Sequence, residues 1–220
     1  IICENTMKTK ILQESSLEDI SLAGEILRSG GLVAIPTETV YGLAADALNE
    51  KAVCSIYAAK GRPSDNPLIV HIASFHELEP LVSEIPDEAL RLANAFWPGP
   101  LTVILKKSSM ISNTVSGGLD TVAVRFPANT TACAVIKATG RPLAAPSANT
   151  SGKPSPTTFA HVEADLFGKI DAIIKGKDCP VGVESTVLSL VGVPKLLRPG
   201  GITLHQLEEV IGTVEVDRAV

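Results

Sequence analysis

The order of apolar and polar positions alternates between helical and strand-like periods along the chain. Ser16 is a predicted N-cap for a helix over "LEDISLAGEILRSGG", where Ile20, Ala23 and Leu27 recur on one face and two glycines follow. The short apolar run "LVAIP" then predicts a buried strand. The apolar positions of "EKAVCSIYAAK" return to helical spacing before the next apolar run, "LIVHI". This part of the chain therefore predicts a helix followed by a strand, helix, strand unit.

The remainder of the chain continues this alternation. Further helices are predicted over "PDEALRLANAFW", "TTACAVIKATG", "TTFAHVEADLFG" and "TLHQLEEVIG". Further strands are predicted over "LTVIL", "TVAVRF", "RPLAAPS", "DAIIKG", "STVLSLVG" and "PKLLRPG". Short helices between about seven or eight strands predict an α/β domain with a large mixed sheet. Antiparallel pairs are expected because some strands follow one another without a helix.

The length of 220 residues fits one compact core. We predict an N-terminal extension with a first strand region over residues 1–15, one domain over residues 16–212, and a tail or the start of a linker over residues 213–220. The segment "IICENT" precedes Met7 and is treated as an upstream extension.

Composition excludes several classes of protein. A net charge of −5 weighs against a protein that coats a nucleic-acid backbone. Cys3, Cys54, Cys133 and Cys179 show no paired spacing, so neither a zinc site nor a disulfide framework is predicted. No apolar run approaches the ~20 residues of a membrane span, and no secretory signal is recognised. A cytoplasmic location is expected.

Familiar nucleotide-binding and hydrolytic motifs are missing from the sequence. The segment "TSGKPSP" has a Gly-Lys pair without the upstream glycine of a phosphate-binding loop, and no GxGxxG follows a predicted strand. GxSxG and HExxH are also missing, and the four histidines are dispersed. A nucleotide would therefore bind in another way.

Polar loops flank several predicted strands, where ligands bind in open α/β sheets. They are "PTET", "KGRPSDNP", "APSANTSGKPSP", "GVESTVLSL" and "LLRPGG". Each also has a structural interpretation: "PTET" could be a capped turn and "PSANTSGKPSP" a solvated loop. "KGRP" could end a helix, with Gly61 as the left-handed stop and Lys60 and Arg62 near the helix dipole.

Two polar residues lie inside predicted apolar strands. Arg125 is in "TVAVRF", where a lone cation is costly unless it meets an anion. That anion could be a ligand or a core carboxylate such as Glu38 or Glu184. His71, in "LIVHI", could be a hydrogen-bonded histidine of a half-buried strand or a ligand residue.

In chain order, "PTETVYGL", "KGRPSDNPLIVHI", "WPGPLT", "VAVRFP", "APSANTSGKPSP", "ESTV" and "LRPG" closely resemble the motifs of the YrdC-type threonylcarbamoyl-AMP synthase family. The similarity runs from about Leu17 to Ile211. The resemblance implies an open, twisted mixed β-sheet with flanking helices and a large concave cavity. It also implies that residues 16–212 form a catalytic domain, which condenses L-threonine, bicarbonate and ATP into L-threonylcarbamoyl-adenylate and pyrophosphate.

The resemblance assigns residues to both ligands. The positions that match the family's L-threonine site are Thr39, His71, Arg125, Ala145 and Ser185. The positions that match its ATP site are Lys60, Arg62, Asn66, Thr121, Ser147, Asn149, Ser155 and Arg198. Lys60 and Arg62, on a turn fixed by Gly61, are expected to face the cavity as catalytic residues. Arg125 would hold the amino acid's carboxylate in a forked contact.

The resemblance also implies a cofactor and partners. Mg²⁺ would bind with ATP, because the sequence has no dedicated carboxylate site for it. A separate transferase complex would pass the threonylcarbamoyl group to tRNA, and direct contact with tRNA would be weak. No membrane partner is expected. Longer members of the family carry a linker and a second C-terminal domain, and a residue of such a linker could contribute to the ATP site.

Two other functions stay open on the sequence alone. A tRNA or double-stranded RNA binding module is suggested by the basic loops and opposed by the acidic net charge. A domain that handles carbamoyl-adenylate, as in the hydrogenase-maturation carbamoyltransferases, would be expected beside zinc-finger and acylphosphatase-like modules. The sequence contains neither module.

Overall fold

The computed structural model describes residues 7–220, which contain seven α-helices. The upstream extension, residues 1–6, lies outside the described residues. The helices are α1 (Leu17–Arg28), α2 (Glu50–Lys60), α3 (Asp87–Phe96), α4 (Asn113–Ser116), α5 (Thr130–Thr139), α6 (Phe159–Leu166) and α7 (Leu204–Ile211). Two short 3-10 turns, Phe75–Glu77 and Glu79–Leu81, precede α3.

The described residues also contain eleven β-strands. The strands are β1 (Lys10–Gln13), β2 (Val33–Ile35), β3 (Gly42–Asp46), β4 (Ile69–His71), β5 (Leu101–Lys106), β6 (Thr121–Arg125), β7 (Leu143–Ala144), β8 (Ala172–Lys175), β9 (Thr186–Ser189), β10 (Lys195–Arg198) and β11 (Glu215–Val216). They form one sheet in the order β1-β8-β2-β3-β7-β4-β6-β5-β9-β10-β11. Among the described strands, five neighbouring pairs are parallel and five are antiparallel. The prediction of an α/β domain with a large mixed sheet is confirmed.

Helix ends follow the capping signals in the sequence. The Ser16 hydroxyl accepts a hydrogen bond from the Asp19 amide at the start of α1. Helix α2 ends at Gly61, whose φ of 62° is left-handed, and α5 ends at Gly140 in the same way. The helices predicted from apolar periodicity are therefore present, with ends set by these local residues.

The structure differs from the sequence prediction at two strands and at one connection. Strand β3, "GLAAD", was not predicted because it is buried on both faces and shows neither alternation nor β-branched residues. Strand β11 lies in the predicted tail, where it pairs with β10. The predicted strand, helix, strand unit is not a direct crossover, since β3 and β7 lie between β2 and β4 in the sheet.

The two faces of the sheet are covered unequally. One face packs against apolar side chains of α2, α3, α4, α6 and α7. The other face is covered by α1 and α5 only over β1, β8, β2, β3 and β7. These two helices approach closely because Gly24 has no side chain. A Cβ at this position would lie only 2.7 Å from the Ala138 carbonyl carbon. The same face remains open over the second half of the sheet. Within residues 7–220, no helix combines the length and hydrophobicity that crossing a bilayer requires.

A candidate active site on the open half of the sheet

A cavity of about 230 Å³ lies on this open face. All five residues predicted for the L-threonine site line it, namely Thr39, His71, Arg125, Ala145 and Ser185. Four of the eight residues predicted for the ATP site line it as well, namely Arg62, Asn66, Ser147 and Arg198. Lys60, Thr121, Asn149 and Ser155 lie outside its lining. The structure thus gathers loops that are far apart in the sequence around one concavity.

Strand register explains how the floor of the cavity forms. Strands β4 and β6 are parallel neighbours, and His71 pairs directly with Arg125. Because side chains alternate across a strand, Thr121 and Arg125 project to the same face of β6. Thr121 is half-buried at the open end of that strand, beyond the cavity lining. It therefore shares the sheet face of Arg125 but does not line the cavity.

Arg125 is buried and makes three protein contacts. One terminal nitrogen donates to Glu38 Oε1 at 2.6 Å, and the other donates to Thr39 Oγ1 at 2.9 Å. Its Nε donates to the Gly99 carbonyl at 3.4 Å. Of the two carboxylates considered from the sequence, Glu38 is thus the partner of Arg125. A guanidinium has five N–H donors, so one remains on each terminal nitrogen. Two remaining donors are the number that a forked contact with a ligand carboxylate requires.

His71 is buried beside Arg125. Burial, followed by the Arg125 charge, lowers the pKa of His71 to about 3. Its Nδ1 lies 3.2 Å from the Ile69 carbonyl oxygen. Because a carbonyl only accepts, Nδ1 must carry the proton, which leaves Nε2 as an acceptor. His71 can therefore accept a hydrogen bond from a ligand but is too weak a base to remove its proton near neutral pH.

The position of Lys60 differs from the sequence prediction. Its side chain is only 2% exposed, and its ammonium does not face the cavity. The ammonium donates to the Asn149 carbonyl at 2.7 Å and to the Ser147 carbonyl. Burial is the main cause that lowers the pKa of Lys60 to about 8. At the end of α2 the Lys60 side chain points into the protein. Lys60 therefore stabilises the "PSANTSG" loop through its backbone carbonyls.

Asn149 completes this internal support. Its side-chain amide donates to the carbonyls of Thr150 and Lys153, at 3.0 and 2.8 Å. The Ser151 amide in turn donates to the Lys60 carbonyl at 2.8 Å. Ser147, which lines the cavity, is thus carried by a loop that is fastened to the end of α2.

The loop between α2 and β4 brings Arg62 and Asn66 to the cavity. The Tyr57 hydroxyl lies 2.9 Å from the Thr114 carbonyl and 3.1 Å from the Asn66 carbonyl. The Arg62 guanidinium donates to the Pro67 carbonyl at 3.2 Å, while its buried Nε has no partner among the described residues. An unpaired buried donor is costly unless a ligand completes it.

Arg198 and Glu184 also line the cavity and contact each other there. Arg198 donates to Glu184 Oε2 at 2.6 Å and to the Ser185 carbonyl and hydroxyl at 3.0 and 3.1 Å. The Ser185 hydroxyl lies 2.8 Å from the Thr102 hydroxyl. The Ser155 hydroxyl donates to Glu184 Oε1 at 2.7 Å. Glu184 therefore links two residues that were both predicted to contact ATP.

Some residues of this network were not assigned from the sequence. Thr102, in "LTVIL", carries no local signal, since it becomes part of the site only through the pairing of β5 with β9. Tyr57 was interpreted only as part of an apolar helix face. Glu184 was visible in "ESTV", but its contacts depend on loops far from it in the sequence.

A larger groove, of about 710 Å³, lies between the end of α1, α2 and Asp171. Lys169 and Met7 are among its lining residues, which include none of the predicted site residues. We therefore assign the site to the smaller cavity. Among the described residues, no group of three His, Cys, Asp or Glu side chains could hold a metal ion.

Comparison with known proteins identifies the class. The family model described as Sua5/YciO/YrdC, telomere recombination, matches residues 25–200. The threonylcarbamoyl-AMP synthase of Pyrococcus abyssi is 57% identical over 202 residues, which are 91% of this chain and 59% of the relative. The threonylcarbamoyl-AMP synthase of Bacillus subtilis is 52% identical over 223 residues, which are 97% of this chain and 64% of the relative. The chain belongs to the Sua5/YciO/YrdC family, and it spans about three fifths of the length of these relatives.

Solved structures agree with this assignment. The structure of P. abyssi Sua5 complexed with L-threonine matches with a TM-score of 0.93 and 54% identity, over 96% of this chain and 63% of that chain. Escherichia coli YciO matches with a TM-score of 0.78 and 23% identity, over 91% of this chain and 98% of that chain. The open mixed sheet is therefore the fold of this family.

Proposed function

We propose that this chain synthesises L-threonylcarbamoyl-AMP from L-threonine, bicarbonate and ATP, with release of pyrophosphate. The observation that carries the proposal is that all five residues matched to the family's L-threonine site line one cavity. The names of the relatives and the L-threonine complex of the P. abyssi protein support it. The product would serve the modification of tRNA by a separate transferase complex.

The amino acid would bind between Arg125 and His71. The two remaining N–H groups of Arg125 would donate to the carboxylate, and neutral His71 Nε2 would accept from the ammonium or the hydroxyl group. With a pKa of about 3, His71 would not deprotonate the ammonium. The proton would instead leave to solvent or to bicarbonate.

The chemistry needs alignment and charge neutralisation more than a covalent nucleophile. The threonine nitrogen forms a bond to the carbon of bicarbonate, with loss of water, to give a carbamate. A carbamate oxygen then attacks the α-phosphorus of ATP, and the bond to pyrophosphate breaks. Arg62 and Arg198, which both line the cavity, would stabilise the phosphate charge. Ser147 and Asn66 would orient the same phosphates, whereas Lys60 would act through the loop that carries Ser147.

The base of ATP would extend beyond the enclosed cavity. The cavity volume of about 230 Å³ is below the ~300 Å³ typical of drug-sized ligand sites. On the open face, β6 runs from Ala123, which lines the cavity, to Thr121, which lies outside the lining. We therefore place the amino acid and the phosphates inside and the nucleoside along this face.

Mg²⁺ would bind through the phosphates of ATP. The described residues hold no three-ligand acidic cluster, and Glu38 and Glu184 are both paired with arginines. This donor set fits a metal that is carried by the nucleotide and keeps several waters. When bound, Mg²⁺ would neutralise part of the triphosphate charge.

The test is pyrophosphate release from ATP, with L-threonine and bicarbonate omitted in turn. We expect release only when both are present. Release that does not depend on L-threonine would contradict the proposal. A net charge of −5 gives no support to the RNA-binding alternative. The structure of full-length HypF matches with a TM-score of 0.71 and 22% identity, over 81% of this chain and 28% of that chain. This is a likeness of fold only and gives no support to the carbamoyl-adenylate alternative.

A further inference from the structure

Glu184 holds two donors that the family resemblance reserves for ATP. One carboxylate oxygen accepts from Ser155 Oγ at 2.7 Å, and the other accepts from Arg198 at 2.6 Å. A carboxylate presents two oxygens to neighbouring donors much as a phosphate does. The protein thus fills these two positions with its own anion.

The Glu184 pair is built differently from the Glu38 pair. The side chains of Arg125 and Glu38 are 4% and 11% exposed, and the Asn129 amide also donates to Glu38. The side chains of Arg198 and Glu184 are both 36% exposed. Breaking a buried pair is costly, whereas water readily compensates a partly exposed one. Glu38 is therefore fixed, while Glu184 can be replaced at low cost.

The backbone on both sides of Glu184 is anchored. A Cβ on Gly200 would lie 2.4 Å from the Thr186 amide, so this glycine allows β9 to lie against the "LRPG" turn. On the other side of Glu184, the Val181 amide donates to the Glu38 carbonyl at 2.9 Å, although the side chains of Val181 and Val183 are exposed. The partly exposed Glu184 side chain can therefore rotate away while the backbone on both sides of it remains in place.

The charge of Glu184 reaches the other cations of the site. Burial lowers the pKa of Lys60, Arg62 and Arg198, and the Glu184 carboxylate acts against that effect at all three. An incoming polyphosphate would compete with this carboxylate for the same positive field.

We propose that Glu184 is a displaceable stand-in for phosphate, which holds Ser155 and Arg198 in position and yields both donors when a nucleotide polyphosphate enters. The inference rests on the proposed function for the identity of that ligand. Before it is displaced, Glu184 keeps Arg198 paired.

Pyrophosphate binding without Mg²⁺ tests this directly, by calorimetry at fixed ionic strength and with no L-threonine present. Glu184→Gln removes the charge but keeps an oxygen for Ser155, and we expect it to bind pyrophosphate about two- to fivefold more tightly than the unsubstituted chain. The control is Glu88→Gln on α3, which removes the same charge from a pair on the opposite side of the sheet. We expect the control to leave the affinity unchanged.

Unchanged or weaker binding by Glu184→Gln would overturn the inference, as would equal tightening in the control or no pyrophosphate binding by any of the three. A purely structural Glu184 predicts weaker binding, so the sign of the change decides. Because no turnover is needed, this result is separable from failure of threonine-dependent pyrophosphate release.

Ser155→Ala supplies a second variant in case Glu184→Gln fails to fold. It removes the hydroxyl that Glu184 occupies and leaves the charge unchanged. If the Ser155 hydroxyl exchanges Glu184 for the phosphate as its acceptor, Ser155→Ala should bind pyrophosphate more weakly. If Ser155 serves only to hold Glu184, binding is unchanged or tighter, and the inference is wrong.

Discussion

At the scale of single residues, Arg125 makes structural contacts and retains donors for a ligand. Its ion pair with Glu38 satisfies the structural interpretation of a buried arginine, and its two remaining donors allow the ligand interpretation. The two alternatives that the sequence left open are therefore compatible. The sequence could suggest both, but only the three-dimensional contacts show how many donors are left.

Substitution of Arg125 should affect L-threonine far more than ATP. Arg125→Ala would leave Glu38 buried and unpaired, at a cost of about 3–5 kcal/mol in stability. The double variant Arg125→Gln/Glu38→Gln avoids that charge. We expect its L-threonine Kd to rise about 10- to 100-fold, because hydrogen bonds to charged groups contribute ~1.5–3 kcal/mol. Calorimetry with each ligand checks this, and equal losses for both ligands would mean that Arg125 is structural only.

The buried neutral His71 should make folding stability depend on pH. Its pKa is about 3 when folded, against an ordinary value of 6.5, so the unfolded state binds more protons between these values. Stability should thus fall as the pH decreases from 6.5 towards 3, by up to ~1.4 kcal/mol per pH unit from this residue. Urea unfolding at several pH values should show that the stability of His71→Gln depends less steeply on pH. His76→Gln, at an exposed position, is the control, and equal slopes for the two variants would contradict the account.

At the scale of elements, the last turn of α2 supports the two loops that carry Ser147 and Asn66. Lys60 braces the "PSANTSG" loop, and Tyr57 braces the loop that carries Asn66. The sequence correctly predicted the helix and its Gly61 stop, because these depend on local residues. It could not predict where Lys60 points, because that depends on the packing of β7 and its following loop.

Lys60→Met should loosen the "PSANTSG" loop. The carbonyls of Ser147 and Asn149 would lose their buried donor. We expect the KM for ATP to rise by about tenfold or more, since small displacements of positioning groups are costly, while L-threonine affinity changes little. Lys51→Met, on the exposed face of the same helix, is the matched control. An unaltered KM for ATP in Lys60→Met would mean that Lys60 does not position this loop for ATP binding.

Tyr57→Phe should have a similar but smaller effect. Loss of the hydroxyl removes its contacts with the carbonyls of Thr114 and Asn66, at about 1 kcal/mol of stability. We expect a higher KM for ATP with little change for L-threonine. Tyr41→Phe also removes a buried contact, to the Gly176 amide, and should lower thermal stability without this kinetic change. Matching kinetics for both variants would argue against a positioning role for Tyr57.

At the scale of the whole molecule, the cavity exists because α1 and α5 cover only half of one sheet face. The sequence predicted the α/β class and most elements from local periodicity. Strand β3 was missed, since a doubly buried Gly/Ala strand has no periodic signal, and the order of the sheet depends on pairings such as β4 with β6 that no local pattern encodes. The motif resemblance supplied the candidate residues, and the fold explains why nine of the thirteen line one cavity.

The net charge of the whole molecule favours an enzyme over an RNA-binding module. With a net charge of −5 the chain lacks the overall basic character that counterion release favours. We expect no tRNA binding at micromolar protein and physiological salt in a gel-shift assay. Tight, salt-dependent tRNA binding without ATP or L-threonine would favour the RNA-binding alternative.

The most direct test of the central claim is detection of the product by mass spectrometry. The chain is incubated with ATP, L-threonine and ¹³C-labelled bicarbonate, in the presence of Mg²⁺. The account predicts L-threonylcarbamoyl-AMP that carries the label, with an equal amount of pyrophosphate, and loss of both when L-threonine is omitted. Pyrophosphate or AMP without the labelled adenylate would contradict it.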